Sequence, residues 1–290
     1  MTESKAWRRG FARRLVPYAL VLPGVVWLTV LFLVPLAGQV RTSLEEGSLL
    51  TGLDFNWHWQ NYATALGDYG PTFLRSFGYA ACATLFAILI GYPLAYFIVF
   101  RGGSFKLVLL FAVVAPFFIT YLVRTLSWEA LLADSGLVLG TLKALRLIPQ
   151  GAFLLGTPVA VVFALTYNFL PFSVLPIYVS LDRIDPTLVS AAEDLYATPF
   201  VAFRKVVLPL SLPGVFAGSL LTFIPAAGDF VNAMMLGAPQ RQMIGNVIQS
   251  RYLVTLDYPI AAAGSLILMT ALILCVAAYS RLFGTEELTG

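Results

Sequence analysis

Apolar residues in this chain fall into six long runs, at about 15–38, 76–100, 107–123, 151–180, 206–228 and 258–280, and none contains Asp, Glu, Lys, Arg or His. About twenty such residues, wound as a helix, cross the hydrocarbon of a bilayer, so each run predicts a transmembrane helix. The third run is the shortest and its boundaries are the least defined. Barrel strands would instead alternate apolar and polar positions over about ten residues. Because a backbone in lipid must satisfy its own hydrogen bonds, a helical bundle is the remaining architecture. The predicted fold class is all-α, a polytopic membrane protein with six transmembrane helices.

Composition agrees: of 290 residues, 59% are hydrophobic and only 11% charged, against about a quarter charged in a soluble domain. Orientation follows the basic residues near the span ends. The tail 1–14 carries Lys5, Arg8, Arg9, Arg13 and Arg14. If it is cytoplasmic, Arg101, Lys106, Arg183, Arg204, Lys205 and Arg281 are cytoplasmic too, giving eleven basic residues inside against seven outside. Both termini are then expected inside, with residues 15–290 forming one transmembrane domain. The first run is longer than a secretory signal core and reads as a retained anchor; Arg8-Arg9 reads as positive-inside anchoring rather than a twin-arginine address. The net charge of +3 is explained by topology and membrane lipid, with no pointer to nucleic acid.

The polar connections carry more information. The stretch 39–75 is expected to be an outer loop, with Trp57, His58, Trp59 and Tyr62 suited to the headgroup layer; His58 has no second metal ligand nearby. In 124–150 the turn Asp134-Ser135-Gly136 precedes an apolar stripe, Leu137, Leu139, Leu142 and Leu145, which predicts a short surface helix. Cys82 and Cys275 fall inside spans as small apolar residues packed on lipid or helix.

The inner loop 181–209 reads in most detail. Asp185 is a good N-cap and Pro186 suits the first helical position. Leu188, Ala191, Ala192 and Leu195 then share one helical face, while Ser190, Glu193 and Asp194 point elsewhere. Thr198-Pro199 ends this helix and starts another, which carries Arg204 and Lys205 back to the membrane. Glu193 and Asp194 would meet an anionic inner leaflet if the helix lay on lipid, which favours docking to a soluble partner.

This segment resembles the signature loop of permease subunits of ATP-binding-cassette (ABC) importers: Glu-Ala-Ala, three residues, Gly, nine residues, Ile, one residue, Leu-Pro. Here Ser190-Ala191-Ala192, Tyr196, Val206 and Leu208-Pro209 stand in register. Two positions depart. Ser190 replaces the Glu, removing an expected ion pair for which Glu193 is a candidate substitute. Tyr196 replaces a Gly that eases a close turn. Val123 to Trp128, Leu208 to Gly214, Ala227 to Phe230 and Met243 to Asn246 further resemble spermidine/putrescine-type permeases, specifically the first of their two permease subunits.

The resemblance implies a type I ABC importer permease fold in a bacterial cytoplasmic (inner) membrane, with a coupling loop at 181–205. In it Leu188, Ser190, Ala191, Ala192, Glu193, Asp194, Leu195, Tyr196 and Pro209 would meet or shape the contact with an ABC ATPase. It also implies a second homologous permease subunit, an extracytoplasmic solute-binding protein and a polyamine solute; relatives with similar motifs carry other solutes such as thiamine, iron complexes or organic anions.

Candidate pathway residues are Asp229, Trp128, Glu129, Tyr167 and Asn168. Asp229 adjoins the outer end of the fifth span, as a cation ligand or a hydrated interfacial acid. Trp128 and Glu129 follow the third span, as solute contacts or as a belt aromatic and a solvated charge. Tyr167-Asn168 precedes Pro171 and Pro176, and either lines a cavity or bonds a neighbouring helix. Arg124 is compatible with an anionic solute. Gly214 and Gly218 have the spacing of close helix packing. No Gly-rich phosphate loop, metal cluster or nucleophile–base pair is present in the sequence, so ATP is expected on a partner chain and no cofactor or metal on this one. A six-span channel is the rival from outside the importers.

Overall fold

The structure is a computed structural model and describes residues 18, 20–48 and 52–283; the basic tail 1–14 lies outside the described residues. Helix α1 (Leu20–Ser43) contains one π turn at Thr29–Leu33. A two-stranded antiparallel hairpin follows, β1 (Glu45–Ser48) and β2 (Gly52–Phe55), with Glu45 opposite Phe55. Then come α2 (Gln60–Arg101), α3 (Lys106–Val114), α4 (Tyr121–Leu132), α5 (Leu137–Ala144), α6 (Pro158–Asp182) and α7 (Pro186–Asp194). The chain continues through α8 (Pro199–Ala227), α9 (Val231–Leu236), α10 (Ile244–Leu253) and α11 (Tyr258–Phe283).

Among the described residues, five helices are long and apolar enough to cross a membrane, or six if one bent pair counts as a span. That pair is the third apolar run, which is not one helix. After α3 a 3₁₀ turn at Ala115–Phe118 begins around Pro116, which has no N–H to continue the α ladder. Ile119 and Thr120 are extended, and α4 leaves at a bend of 92°.

Two other boundaries differ from expectation. The stretch 39–75 is mostly structured, because α2 runs for 42 residues, about 63 Å and twice the hydrocarbon thickness. Gly67, Gly70 and Pro71 read as loop signals, but tertiary bonds hold this extension. Asn61 donates to the carbonyls of Ser43 (3.0 Å) and Glu45 (2.8 Å), and Arg251 donates to the Tyr69 hydroxyl. The fourth span starts at Pro158 rather than 151: Gly156 turns the chain at φ +75°, and Thr157 caps the helix by accepting from the Ala160 amide. The surface helix expected at Leu137 is α5, with Leu139 buried.

The core is the triple packing of α2, α6 and α8, built from small residues. Along α2 the buried positions Ala80, Ala83, Ala87, Gly91 and Ala95 form one stripe; along α8 Ser211, Gly214, Gly218 and Thr222 do the same. Lipid gives helices no hydrophobic reason to associate, so close van der Waals contact and interhelical hydrogen bonds must supply the attraction. A Cβ on Gly214 would stand 2.4 Å from Ser180 Cβ and 2.6 Å from the Pro176 carbonyl oxygen, and one on Gly218 would stand 2.9 Å from the Ser173 carbonyl oxygen. Ser173 and Thr222 share a hydroxyl bond of 2.8 Å, as do Tyr92 and Ser211 at 2.7 Å.

Cys82 and Cys275 are free and exposed on this chain, as are the apolar side chains of α1. Replacing Gly214 by Val is therefore expected to destabilise the fold by about 1–3 kcal/mol through overpacking, read as a lower melting temperature in detergent. Gly78→Ala, inside α2 with nothing within 4 Å of the added carbon, is expected to leave stability unchanged or raise it by up to about 1 kcal/mol.

Candidate functional site

Two places at opposite ends of the α2–α6–α8 core concentrate polar chemistry. At one end the connection from α6 to α8 forms the expected knob. Asp185 caps α7 by accepting from the Thr187 amide at 2.9 Å, and that bond holds the exposed carboxyl below its ordinary pKa. A lowered folded-state pKa means the cap's contribution is present above the ordinary carboxylate value and is lost as pH falls through the lowered one.

The helix ends in two reverse bonds. The Tyr196 amide donates to the Glu193 carbonyl (2.9 Å) and the Ala197 amide to the Ala192 carbonyl (3.1 Å), the Schellman pattern that calls for a left-handed residue at Tyr196. Tyr196 takes it, at φ +60°, against a cost of about 1–2 kcal/mol for a side-chain-bearing residue. Thr198 then caps the return helix. Phe203 anchors the knob, its ring meeting Tyr92 and Tyr96 edge-on at 5.9 and 5.7 Å. A π turn at Phe203–Val207 precedes Pro209, which cannot donate back into the ladder.

None of α7 is buried within the chain. Leu188, Ser190, Ala191, Glu193, Asp194, Leu195 and Tyr196 are exposed or nearly so, with Ala192 half-buried. The apolar face expected from Leu188 to Leu195 is thus real and bare.

At the other end, α4 and α9 lie against α6. Asp229 is buried within the chain, 8% exposed. One carboxylate oxygen accepts from the Tyr121 hydroxyl and the other from the Asn232 amide at 2.9 Å, so Asp229 also caps α9. The Asn232 side-chain amide donates to the Tyr121 hydroxyl. Its carbonyl oxygen accepts from Asn168 Nδ2 at 3.1 Å and lies 3.1 Å from the Thr125 hydroxyl. Asn168 Oδ1 is buried without a hydrogen-bond partner.

Asn168 therefore bonds a neighbouring element, while Tyr167 packs edge-on against Trp128 at 5.0 Å and lines a cavity. Trp128 also meets Phe163 at 4.7 Å and is half-buried, while Phe163 is exposed. Glu129 is half-buried and stands apart from the network. Tyr121, Thr125 and Asn232 were not read from the sequence. A capping role for Asp229 was a readable signal, but that bond goes to the backbone amide of residue 232, so nothing local pointed to the Asn232 side chain.

Arg124 is 8% exposed and lies over the rings of Phe117 (4.8 Å) and Tyr121 (5.5 Å), bracing the inside of the bend. Its Nε and Nη1 have no acceptor. His58 lies 3.6 Å from Glu46 in the hairpin region, and no group of three or more metal-ligating side chains occurs among the described residues. The cavity beside Tyr167, about 670 Å³, is bordered by Tyr79, Cys82, Phe86, Val162 and Thr166; walls of this kind supply no carboxylate for an ammonium group.

A knob at the end of a small-residue bundle, with a motif in register, has a counterpart among known proteins. Residues 87–284 match the family described as "Binding-protein-dependent transport system inner membrane component". The chain belongs to this family. It is 34% identical over 223 residues (77% of this chain, 78% of the other) to the "Spermidine/putrescine transport system permease protein PotB" of Haemophilus influenzae. It is 32% identical over 258 residues (89% and 94%) to the protein of that name in Escherichia coli. The "Inner membrane ABC transporter permease protein YdcU" of Escherichia coli is 33% identical over 229 residues (74% and 72%).

The fold is also that of a chain in a bacterial ABC transporter described as importing the acidic polysaccharide alginate, with TM-score 0.78, 16% identity and coverage of 98% and 99%. A chain of the MetNI methionine ABC transporter matches with TM-score 0.59, 18% identity and coverage of 73% and 93%. The chain is thus an inner-membrane transport component with the fold of ABC importer permeases.

Tyr121→Phe removes a donor to Asp229 and an acceptor for Asn232. It is expected to cost about 1–3 kcal/mol, the penalty of stranding buried polar groups, measured as a lower melting temperature of the purified protein.

Proposed function

We propose that this chain is the transmembrane permease subunit of an ATP-driven importer that carries polyamines of the spermidine/putrescine type across the cytoplasmic membrane. The observation that carries the reading is identity of a third over most of the chain with permeases named for that solute, and the in-register coupling loop supports the ATP-driven part. On this reading residues 1–14 are a cytoplasmic tail, 15–290 one permease domain, and both termini lie inside. Two ATPase subunits sit below the loop at 181–205, a second related permease completes the path, and a solute-binding protein delivers from outside.

The chemistry of the two sites fits. ATP binding draws the ATPases together and moves the knob; hydrolysis on those separate subunits resets it, and this chain performs no catalysis. A polyamine is a string of ammonium groups, which needs carboxylate or carbonyl oxygens and aromatic faces. Asp229 offers a buried carboxylate whose internal donors, the Tyr121 hydroxyl and Asn232 amide, are replaceable by an ammonium. Asn168 Oδ1 is a free acceptor one hydrogen bond further along, through Asn232, and Tyr121 supplies a ring at the carboxylate. A second reading, an anionic solute, rests on Arg124, whose two buried donors lack acceptors.

Uptake of labelled putrescine and spermidine into cells expressing the complete transporter separates these. Competition by unlabelled amines but not by dicarboxylates is expected; the reverse would install the anion reading. Asp229→Asn is expected to weaken apparent affinity by at least about tenfold. Reversing the charges of Glu193 and Asp194 together is expected to abolish uptake while the chain still reaches the membrane; unchanged uptake would remove the coupling assignment and favour a channel.

A further inference from the structure

Tyr196 combines three properties that no role inside the chain accounts for. It sits where the importer motif carries glycine, and the backbone there is left-handed, φ +60°, a conformation glycine adopts freely and a bulky residue resists. Its side chain is 97% exposed, beside Leu195 at 81% and Phe200 at 70%. The backbone beneath it is fixed rather than loose: the two reverse bonds from Tyr196 and Ala197 clamp the turn to the end of α7. The molecule thus holds an aromatic ring out into solvent, from a rigid mount, in a strained conformation.

We propose that Tyr196 is a docking residue that seats in an apolar recess on the ATPase subunit and makes this permease selective for its own ATPase over those whose permeases carry glycine here. The proposal rests on the permease reading above, since the knob is the surface that meets the ATPase. Large aromatic side chains that lose little entropy on binding are the usual anchors of protein interfaces, and a pre-set turn lowers the ordering cost further. Leu195, its neighbour in sequence, and Phe200, four residues on, are further large exposed apolar side chains here and form the apolar rim of the proposed contact, with the phenol hydroxyl at an acceptor or water at the mouth of the recess. A lipid surface is a poor occupant. Glu193 and Asp194 stand immediately before the ring, both exposed, and they would be carried against anionic headgroups.

The test turns on sign. Tyr196→Gly relieves the backbone strain and fits the motif, so a merely structural role predicts a knob at least as stable and an interface at least as tight. Docking predicts the opposite for the interface: about tenfold weaker binding, with Tyr196→Phe close to wild type. The permease with its companion subunit, in nanodiscs, would be titrated with the cassette ATPase that co-purifies with the tagged wild-type chain, with thermal melting of each variant alongside. Loss of affinity in Tyr196→Gly at equal or higher melting temperature supports the proposal. Equal affinity for wild type and Tyr196→Gly overturns it and leaves the permease reading standing. A wild-type chain that brings no ATPase with it overturns the permease reading and this proposal together.

Discussion

The direct contact of α8 with the backbone of α6, made possible by Gly214 and Gly218, is what the rest of the molecule is mounted on. With 2.4–2.9 Å between a notional Cβ and the facing atoms, no other residue leaves the two helices where they are. This approach lets Ser173 and Thr222 share a hydroxyl bond, which in lipid must be made internally because no water is present to make it. The Ala80–Ala95 stripe brings α2 onto the same unit, with Gly91 against Val174. Long apolar side chains, by contrast, are left mostly on the outside, where lipid or a partner subunit meets them.

Both functional ends follow from that unit. The knob is the connection between the last residue of α6, Asp182, and the first of α8, Pro199, so its two feet stand on two helices that are locked together. Ile184 and Val207 are buried with Leu181 and Ile177 in a small core directly above those feet, and Lys106 pairs with Asp182 beside it. At its far end α8 leads into Asp229, and Asn168, midway along α6, is tied to that region through Asn232. A displacement of the knob is therefore imposed on a rigid pair of helices rather than absorbed in a loop. This gives the proposed coupling a mechanical route that requires no further element.

How much of this the sequence disclosed depends on whether the information was local. The span count came from continuous apolar runs, and the knob came from caps and turn chemistry within a few residues: Asp185, Pro186, Thr198 and Pro199 all act where they stand. The break at Ile119–Thr120 was only partly legible: Pro116 marks an interrupted ladder, but the third run stays apolar through the bend, and a proline inside a span fits a kinked helix as well as a folded one. The outer extension of α2 was hidden by Gly67, Gly70 and Pro71, whose local meaning is overridden by bonds from Asn61 and Tyr69 to distant segments. Asp229 was noticed but not its environment. Tyr121 reaches it only through tertiary packing, from 108 residues away, and Asn168 joins only through Asn232.

The hydrogen-bond order in that network carries its own constraint. A carboxylate only accepts, so the Tyr121 hydroxyl must donate to Asp229 and can then only accept from the Asn232 amide. With its nitrogen so placed, Asn232 turns its carbonyl oxygen toward Asn168, which must present its own amide nitrogen. The oxygen of Asn168 is then left pointing at nothing, which is the unpaired buried atom observed. The orphan is thus not an accident of one side chain but the far end of a chain of donors that begins with the Tyr121 hydroxyl on Asp229. A cation entering beside Asp229 releases Tyr121 from that duty, and a cationic donor arriving at Asn168 completes the chain without reversing it. An anion would instead have to take over donors that already serve acceptors inside the network, or meet the unpaired guanidinium nitrogens of Arg124. The polarity of the network, more than the identity of any one residue in it, is what the proposed reading of this end of the bundle as a path for a positively charged solute rests on.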